Sequence, residues 1–284
     1  MLARCIAFCS LFYLGSVFAH EFSAGLDAAE WHLEPSPQQC RLSQPIPQYG
    51  MAVFEINSGK QIHFYLESDR PAVVKDTAQL VITSPYWRPG VEDTTIATFN
   101  TSPGKRPVML NRADTDRMID ELMAGMMPAI VLKGWGDDHD IKVGISSVNF
   151  QEAYNGLTSC LASLYPANFE QLKSSHLLFG ANKYGIQGKA RERLDLIVGY
   201  IMIDPSISKI EIYGHASREG RRGHNWEISR LRAKEVKDYL VKNGVDPSII
   251  SSTYLGETRP RFKGNTASDR AKNRRVYIRL RKTS

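Results

Sequence analysis

The residues best suited to chemistry lie in Ile210–Leu240, IEIYGHASREGRRGHNWEISRLRAKEVKDYL. A short apolar strand ends in Gly214-His215, a polar, Gly-rich loop follows, and an amphipathic helix then carries Ser229-x-x-Arg232-Ala233. Arginine offers a planar fork of N–H donors that matches a carboxylate. Arg232, placed on a helix that follows a strand-end loop, is therefore a candidate for holding an acidic group. A competing reading makes it a surface residue paired with Glu235 or Glu227, a contact of roughly 0.3–0.5 kcal/mol. Arg218, Arg221 and Arg222 add positive charge to the loop, either to meet anions or to face water.

Catalysis has no comparable anchor. No Ser-His-Asp arrangement and no Gly-x-Ser-x-Gly elbow is present, and His63 alternates within a strand pattern. Asp137-Asp138-His139-Asp140 is the one dense group of metal-type ligands. It lacks the alternating acceptors and terminal Glu of a calcium loop and reads as a hydrated turn. The expectation is neither an enzyme nor a metal or cofactor protein.

These groups need elements to position them. From His176 the pattern alternates: strand His176–Phe179, helix Gly188–Met202, strand Ser208–Tyr213, helix Asn225–Lys242, then strands Ser252–Leu255 and Arg275–Leu280. Leu194, Ile197, Val198 and Ile201 face inward on the first helix, and Leu231, Val236, Tyr239 and Leu240 on the second. Asn243-Gly244 stops the second helix. The order βαβαββ implies helices packed on a sheet. The preceding half is strand-rich. Met51–Leu66 reads as a hairpin turning at Asn57-Ser58-Gly59, its first strand alternating inward at Ala52, Phe54 and Ile56, with further strands at Ala78–Ser84, Thr94–Asn100, Ala129–Trp135 and Ile141–Val148. Two helices interrupt it. Asp116–Ala124 is capped by Asp114 or Thr115 and buries Met118, Ile119, Leu122 and Met123, and Phe150–Leu164 carries a stripe of Phe150, Tyr154, Leu157, Leu161 and Leu164. The fold class is α+β: a β-rich N-terminal domain (20–168) followed by an α/β sandwich (169–284).

Residues 1–19 read as a secretory signal peptide, with Arg4 ahead of the apolar run Ile6–Phe18 and cleavage after Ala19. The alternative is an uncleaved anchor, although the run is short for a bilayer span of roughly 20 residues. Cleavage leaves Cys40 and Cys160, and an exported chain with two cysteines points to one disulfide. The competing arrangement is two buried thiols. If Cys40 precedes the first strand, the bridge ties the last helix of the domain to its beginning. Charge divides the chain: residues 170–284 hold 24 Lys and Arg against 12 Asp and Glu, and residues 1–169 hold 12 against 18. Opposite charges suggest different partners for the two halves. Export argues against nucleic acid and favours an anionic polymer or an acidic protein face.

The Gly214-to-Ala233 pattern, closed by Asn273-Arg274-Arg275-Val276, resembles the OmpA-like peptidoglycan-binding domain family. That resemblance implies a pocket for the zwitterionic end of diaminopimelate in the stem peptide. An Asp in the loop meets the ammonium, and an Arg fifteen residues on meets the carboxylate. Arg232 stands at the Arg position, but Ser217 stands where the family has Asp, and Ala216 where it has Thr. Asn225 and Ser229 fit the motif, and Glu219 is the candidate substitute acceptor; Arg275 belongs to the closing signature. Trading a charge-assisted contact for a neutral one costs roughly tenfold in affinity.

In the other half, Cys40-Arg41-Leu42, Pro45-Ile46-Pro47, Tyr49-Gly50, Trp87-Arg88-Pro89-Gly90, Ser146-Ser147-Val148 and Tyr154-Asn155 together resemble the MotY family of periplasmic flagellar-motor proteins. The resemblance covers nearly the whole mature chain. It implies association with the flagellar basal body and a MotX-like partner, and support of a PomA/PomB-type stator. The alternative is a soluble OmpA-like envelope protein that binds the wall without any link to the flagellum. A wall hydrolase or amidase lacks a nameable acidic pair or zinc set.

Overall fold

The structure, a computed structural model, describes residues 20–283 except 73–75, 86, 91 and 134–138. The expected signal peptide, Trp135, Asp137 and Asp138 lie outside the described residues. The chain forms two compact units. Among the described residues the first comprises 20–34, 41–55 and 62–159, and the second comprises 35–40, 56–61 and 160–283.

The N-terminal unit is built from β1 (His20–Phe22), β2 (His32–Pro35), β3 (Gln39–Ile46), β4 (Gly50–Asn57), β5 (His63–Ser68), β6 (Thr77–Thr83), β7 (Thr94–Asn100), β8 (Val108–Met109), α1 (Arg112–Met123), β9 (Met127–Lys133), β10 (Asp140–Gly144) and α2 (Phe150–Ser163). Two five-stranded sheets result, ordered β1-β10-β9-β6-β7 and β2-β3-β4-β5-β8. The expected hairpin is β4–β5, with Ala52 opposite Leu66 and Phe54 opposite Phe64. The alternation expected in β4 does not hold, because Val53 and Glu55 are buried as well as Ala52, Phe54 and Ile56. The strand is covered on both faces, and Glu55 tolerates this by accepting from Tyr65 Oη at 2.7 Å. Phe54 meets Trp31, Phe64 and Phe150 with ring centroids 6.0, 5.0 and 5.7 Å apart.

α1 buries Met118, Ile119 and Leu122 as expected, but Met123 is exposed. Its cap is Asn111, whose side chain accepts from Asp114 N at 3.0 Å, so the helix starts earlier than Asp114 or Thr115 would allow. α2 buries Phe150 and Leu157, whereas Leu161 at the end of the expected stripe is exposed. β10 stops at Gly144, short of the expected Val148. Asp140 pairs with Lys133 at 2.9 Å, and the described residues contain no cluster of three metal-type ligands.

The C-terminal unit is built on α3 (Phe169–Leu172), β11 (Ser174–Leu178), α4 (Lys189–Ile203), β12 (Ile207–Gly214), α5 (Arg222–Lys242), β13 (Ile250–Tyr254), α6 (Ala267–Asn273) and β14 (Arg275–Lys282). The expected βαβαββ order is present, with short helices α3 and α6 added. The sheet runs β11-β14-β12-β13. β12 and β13 are parallel, and β14 is antiparallel to both β11 and β12. Leu177, Ile210, Ile212, Val276, Ile278 and Leu280 join Leu194, Ile197 and Tyr200 of α4 and Ala233, Val236 and Leu240 of α5 in one core. α5 ends where expected, with Asn243 as its cap and Gly244 at φ +94°.

This unit also takes in two short pieces of earlier chain. Ser58 N donates to Gln38 O and Tyr165 N to Pro37 O, both at 2.8 Å. Asn168 Nδ2 donates to Ser58 O at 3.0 Å. Cys40 is bonded to Cys160 across 120 residues, with the Cα atoms 6.1 Å apart. The expected disulfide is present, but Cys40 sits within β3 rather than ahead of the first strand.

Candidate functional site: a cavity around a buried arginine

The site begins with a close approach. α5 crosses the end of β12 so tightly that a Cβ on Gly214 would lie 2.1 Å from Ser229 O. Only glycine fits there. Beyond Gly214 the chain is fixed by two backbone bonds, His215 N to Arg275 O at 2.9 Å and Ala216 N to Gly256 O at 2.7 Å. These bring Ala216 and Ser217 against α5, and both are buried.

Arg232 is 1% exposed and is among the largest fully buried side chains. The surface-pair reading is therefore overturned: Glu227 pairs instead with Arg230 at 2.7 Å. The guanidinium donates to three backbone carbonyls, Nε to Lys183 O at 2.9 Å, Nη1 to His215 O at 3.0 Å and Nη2 to Gly180 O at 2.8 Å. Guanidinium has five N–H bonds, so two remain for another acceptor. Phe179 lies under the group with its ring centroid 5.4 Å from Cζ. Burial, helped by Arg274, draws its pKa down to about 10. The group stays charged at neutral pH, and among the described residues no carboxylate is paired with it.

A cavity of about 370 Å³ opens in front of Arg232, lined also by Asn182, Ser217, Glu219, Asn225 and Arg274. Glu219 brings the carboxylate that Ser217 lacks. It lines this cavity, 3.5 Å from Ser217 Oγ, and is held by Arg270 at 2.7 Å and Arg274 at 3.9 Å. Asn225 is buried and donates Nδ2 to Glu257 Oε2 at 2.5 Å. His224 Nε2 and Asn182 Oδ1, 3.1 Å apart, close one side. One cavity thus offers a buried cation and a carboxylate, the complement of a small zwitterion.

Two expected residues fall outside the cavity lining. Ser229 Oγ donates to Trp226 O at 2.7 Å and accepts from Gly256 N at 3.1 Å, so it pins the loop after β13 to the helix. Arg275 is buried nearby and approaches His215 Nε2 at 3.4 Å. It is the preceding Arg274, the C-cap of α6 just ahead of β14, that reaches the cavity. Arg274, Arg270, Asn182 and His224 were not singled out from sequence. The capping box Thr266–Asp269 was the one local signal for α6, which carries Arg270.

A family model described as the MotY N-terminal domain matches residues 22–166, and one described as the OmpA family matches residues 178–274. The first covers half of the chain. The chain belongs to the MotY family. It is 26% identical over 275 residues to the sodium-type flagellar protein MotY of Vibrio parahaemolyticus, spanning 94% of this chain and 92% of that one. It is 29% identical over 133 residues to the peptidoglycan-associated lipoprotein of Haemophilus influenzae, spanning 47% of this chain and 86% of the relative. Among solved structures, the C-terminal domain of Helicobacter pylori MotB aligns with 22% identity and a TM-score of 0.36, over 39% of this chain and 86% of that one. The cavity of this MotY-family chain, from Ala181 to Arg274, falls within the OmpA-family match.

Proposed function

We propose that this MotY-family protein is a periplasmic part of the flagellar motor that holds peptidoglycan through its C-terminal unit and the basal body through its N-terminal unit. In this reading it anchors stators of the PomA/PomB type, together with a MotX-like partner. The observation that carries the wall-binding half is Arg232, a buried guanidinium with two N–H bonds to spare and Glu219 lining the same cavity. The carboxylate of a diaminopimelate end meets Arg232, and its ammonium meets Glu219 with Ser217 beside it. Binding is then weaker than a dedicated Asp would give, and many copies linked around one motor would raise the effective concentration.

The test combines a deletion strain with sedimentation. The strain is expected to build flagella and fail to swim, and the purified protein to pellet with isolated cell wall. Pelleting with normal swimming would favour an envelope protein unconnected to the motor. Absence of pelleting would overturn the wall-binding claim.

A further inference from the structure

A second hollow adjoins the first. Trp226 follows Asn225 on α5 and is 48% exposed, and Tyr254 at the end of β13 is 36% exposed. Their rings meet edge to face, 6.1 Å apart at 90°. With Gly256 and the rim residues Arg222, Glu257 and Thr258 they line a hollow of about 130 Å³. Aromatic surface with a hydrogen-bonding rim matches a pyranose, whose C–H faces are apolar and whose edge carries hydroxyl and amide groups.

The hollow is held in shape. Ser229 ties Trp226 O to Gly256 N. A Cβ on Gly256 would lie 3.4 Å from Trp226 N and Cα, so the loop lies against the helix turn. The two hollows share a wall: Asn225 lines the Arg232 cavity and donates to Glu257, which lines the second hollow. In a stem peptide, diaminopimelate is the third residue from the sugar. The extended segment between them spans roughly 10 Å, a reach suited to neighbouring hollows.

We infer that Trp226 and Tyr254 form a subsite for an amino-sugar ring of the glycan strand whose stem peptide enters the Arg232 cavity. The inference rests on the wall-binding reading above. Ser229, which does not line the stem-peptide cavity, thereby acquires the role of positioning the sugar platform.

The test uses the full mature protein with two probes, a disaccharide–tripeptide containing diaminopimelate and the same tripeptide without sugars, measured by calorimetry. Wild type is expected to bind the disaccharide form about tenfold more tightly, or ~1.4 kcal/mol. Trp226→Ala removes that advantage and leaves tripeptide affinity unchanged, Trp226→Phe keeps most of it, and Tyr254→Ala reduces it. Equal binding of both probes by wild type, or an equal loss of both in Trp226→Ala, would overturn the subsite. Binding of neither probe would overturn the wall-binding reading itself. Thermal melts confirm folding of each variant.

Discussion

Arg232 sits where function and stability meet, and the two can be separated by substitution. Replacing it with Met removes three charge-assisted bonds to the carbonyls of Lys183, His215 and Gly180. Each such bond is worth about 1.5–3 kcal/mol net. Against this stands relief of the burial that draws the pKa down to about 10, ~3 kcal/mol on the charged form. The three bonds together outweigh the relief, leaving a net destabilisation of about 1.5–6 kcal/mol. For a protein of this size that is a fall of roughly 3–20 °C in melting temperature. Arg232→Lys keeps the charge but cannot span three carbonyls at once, and is expected to lose about half as much. Circular-dichroism melts of wild type, Arg232→Lys and Arg232→Met read this directly. A Met variant melting within 2 °C of wild type would refute the reasoning, because the carbonyl contacts would then contribute nothing to stability. Arg232→Lys is accordingly the better variant for binding assays.

Three further expectations follow from the same geometry. Gly214→Ala forces backbone apart at a 2.1 Å approach and should cost several kcal/mol, on the order of 3; a wild-type urea midpoint would contradict the close crossing. His215 is buried, and burial together with Arg275, His176 and Arg259 pushes its pKa down to about 4. The unfolded chain takes the proton first, so stability is complete above about pH 6.5 and declines towards pH 4, by ~3 kcal/mol from this residue. His215→Gln should flatten that decline in urea titrations at pH 7.5 and 4.5, and an unchanged slope would rule His215 out as its source. Glu219→Gln should weaken wall binding about tenfold by removing the acceptor charge, and Ser217→Asp should restore it; sedimentation unaffected by either change would show that the ammonium is held elsewhere.

The C-terminal unit was legible because its signals are local. Apolar alternation marked β12 and β14, and Asn243-Gly244 marked the end of α5. The Ser-x-x-Arg-Ala spacing located Arg232. What escaped was the burial of Arg232. Helical periodicity nominated Leu231, which is only half-buried, whereas the buried stripe runs through Asn225, Ser229, Arg232, Val236 and Leu240. A charged residue on a buried stripe is stabilised by carbonyls far away in sequence, at Gly180 and Lys183, and no local pattern announces them. Arg274 and Arg275 show the same limit, since the hand-over from α6 to β14 falls between them and decides which one reaches the cavity. In the N-terminal unit β1, β2, β3 and β8 went unread because three are short and β3 contains Pro45. Val53 and Glu55 of β4 take the solvent-facing positions of an alternating pattern yet are buried, because cover on the second face of a strand comes from elements distant in sequence.

A cavity that grips a zwitterionic stem-peptide end through Arg232 must discriminate between two ligands in calorimetry. One is a diaminopimelate-containing tripeptide, and the other is the same peptide with the terminal carboxylate of its diaminopimelate amidated. Saturable binding of the free acid is expected, with at least about tenfold weaker binding of the amide, and a smaller difference in Arg232→Lys, which keeps the charge but loses the planar fork. Equal affinity for acid and amide in the wild-type protein would contradict it.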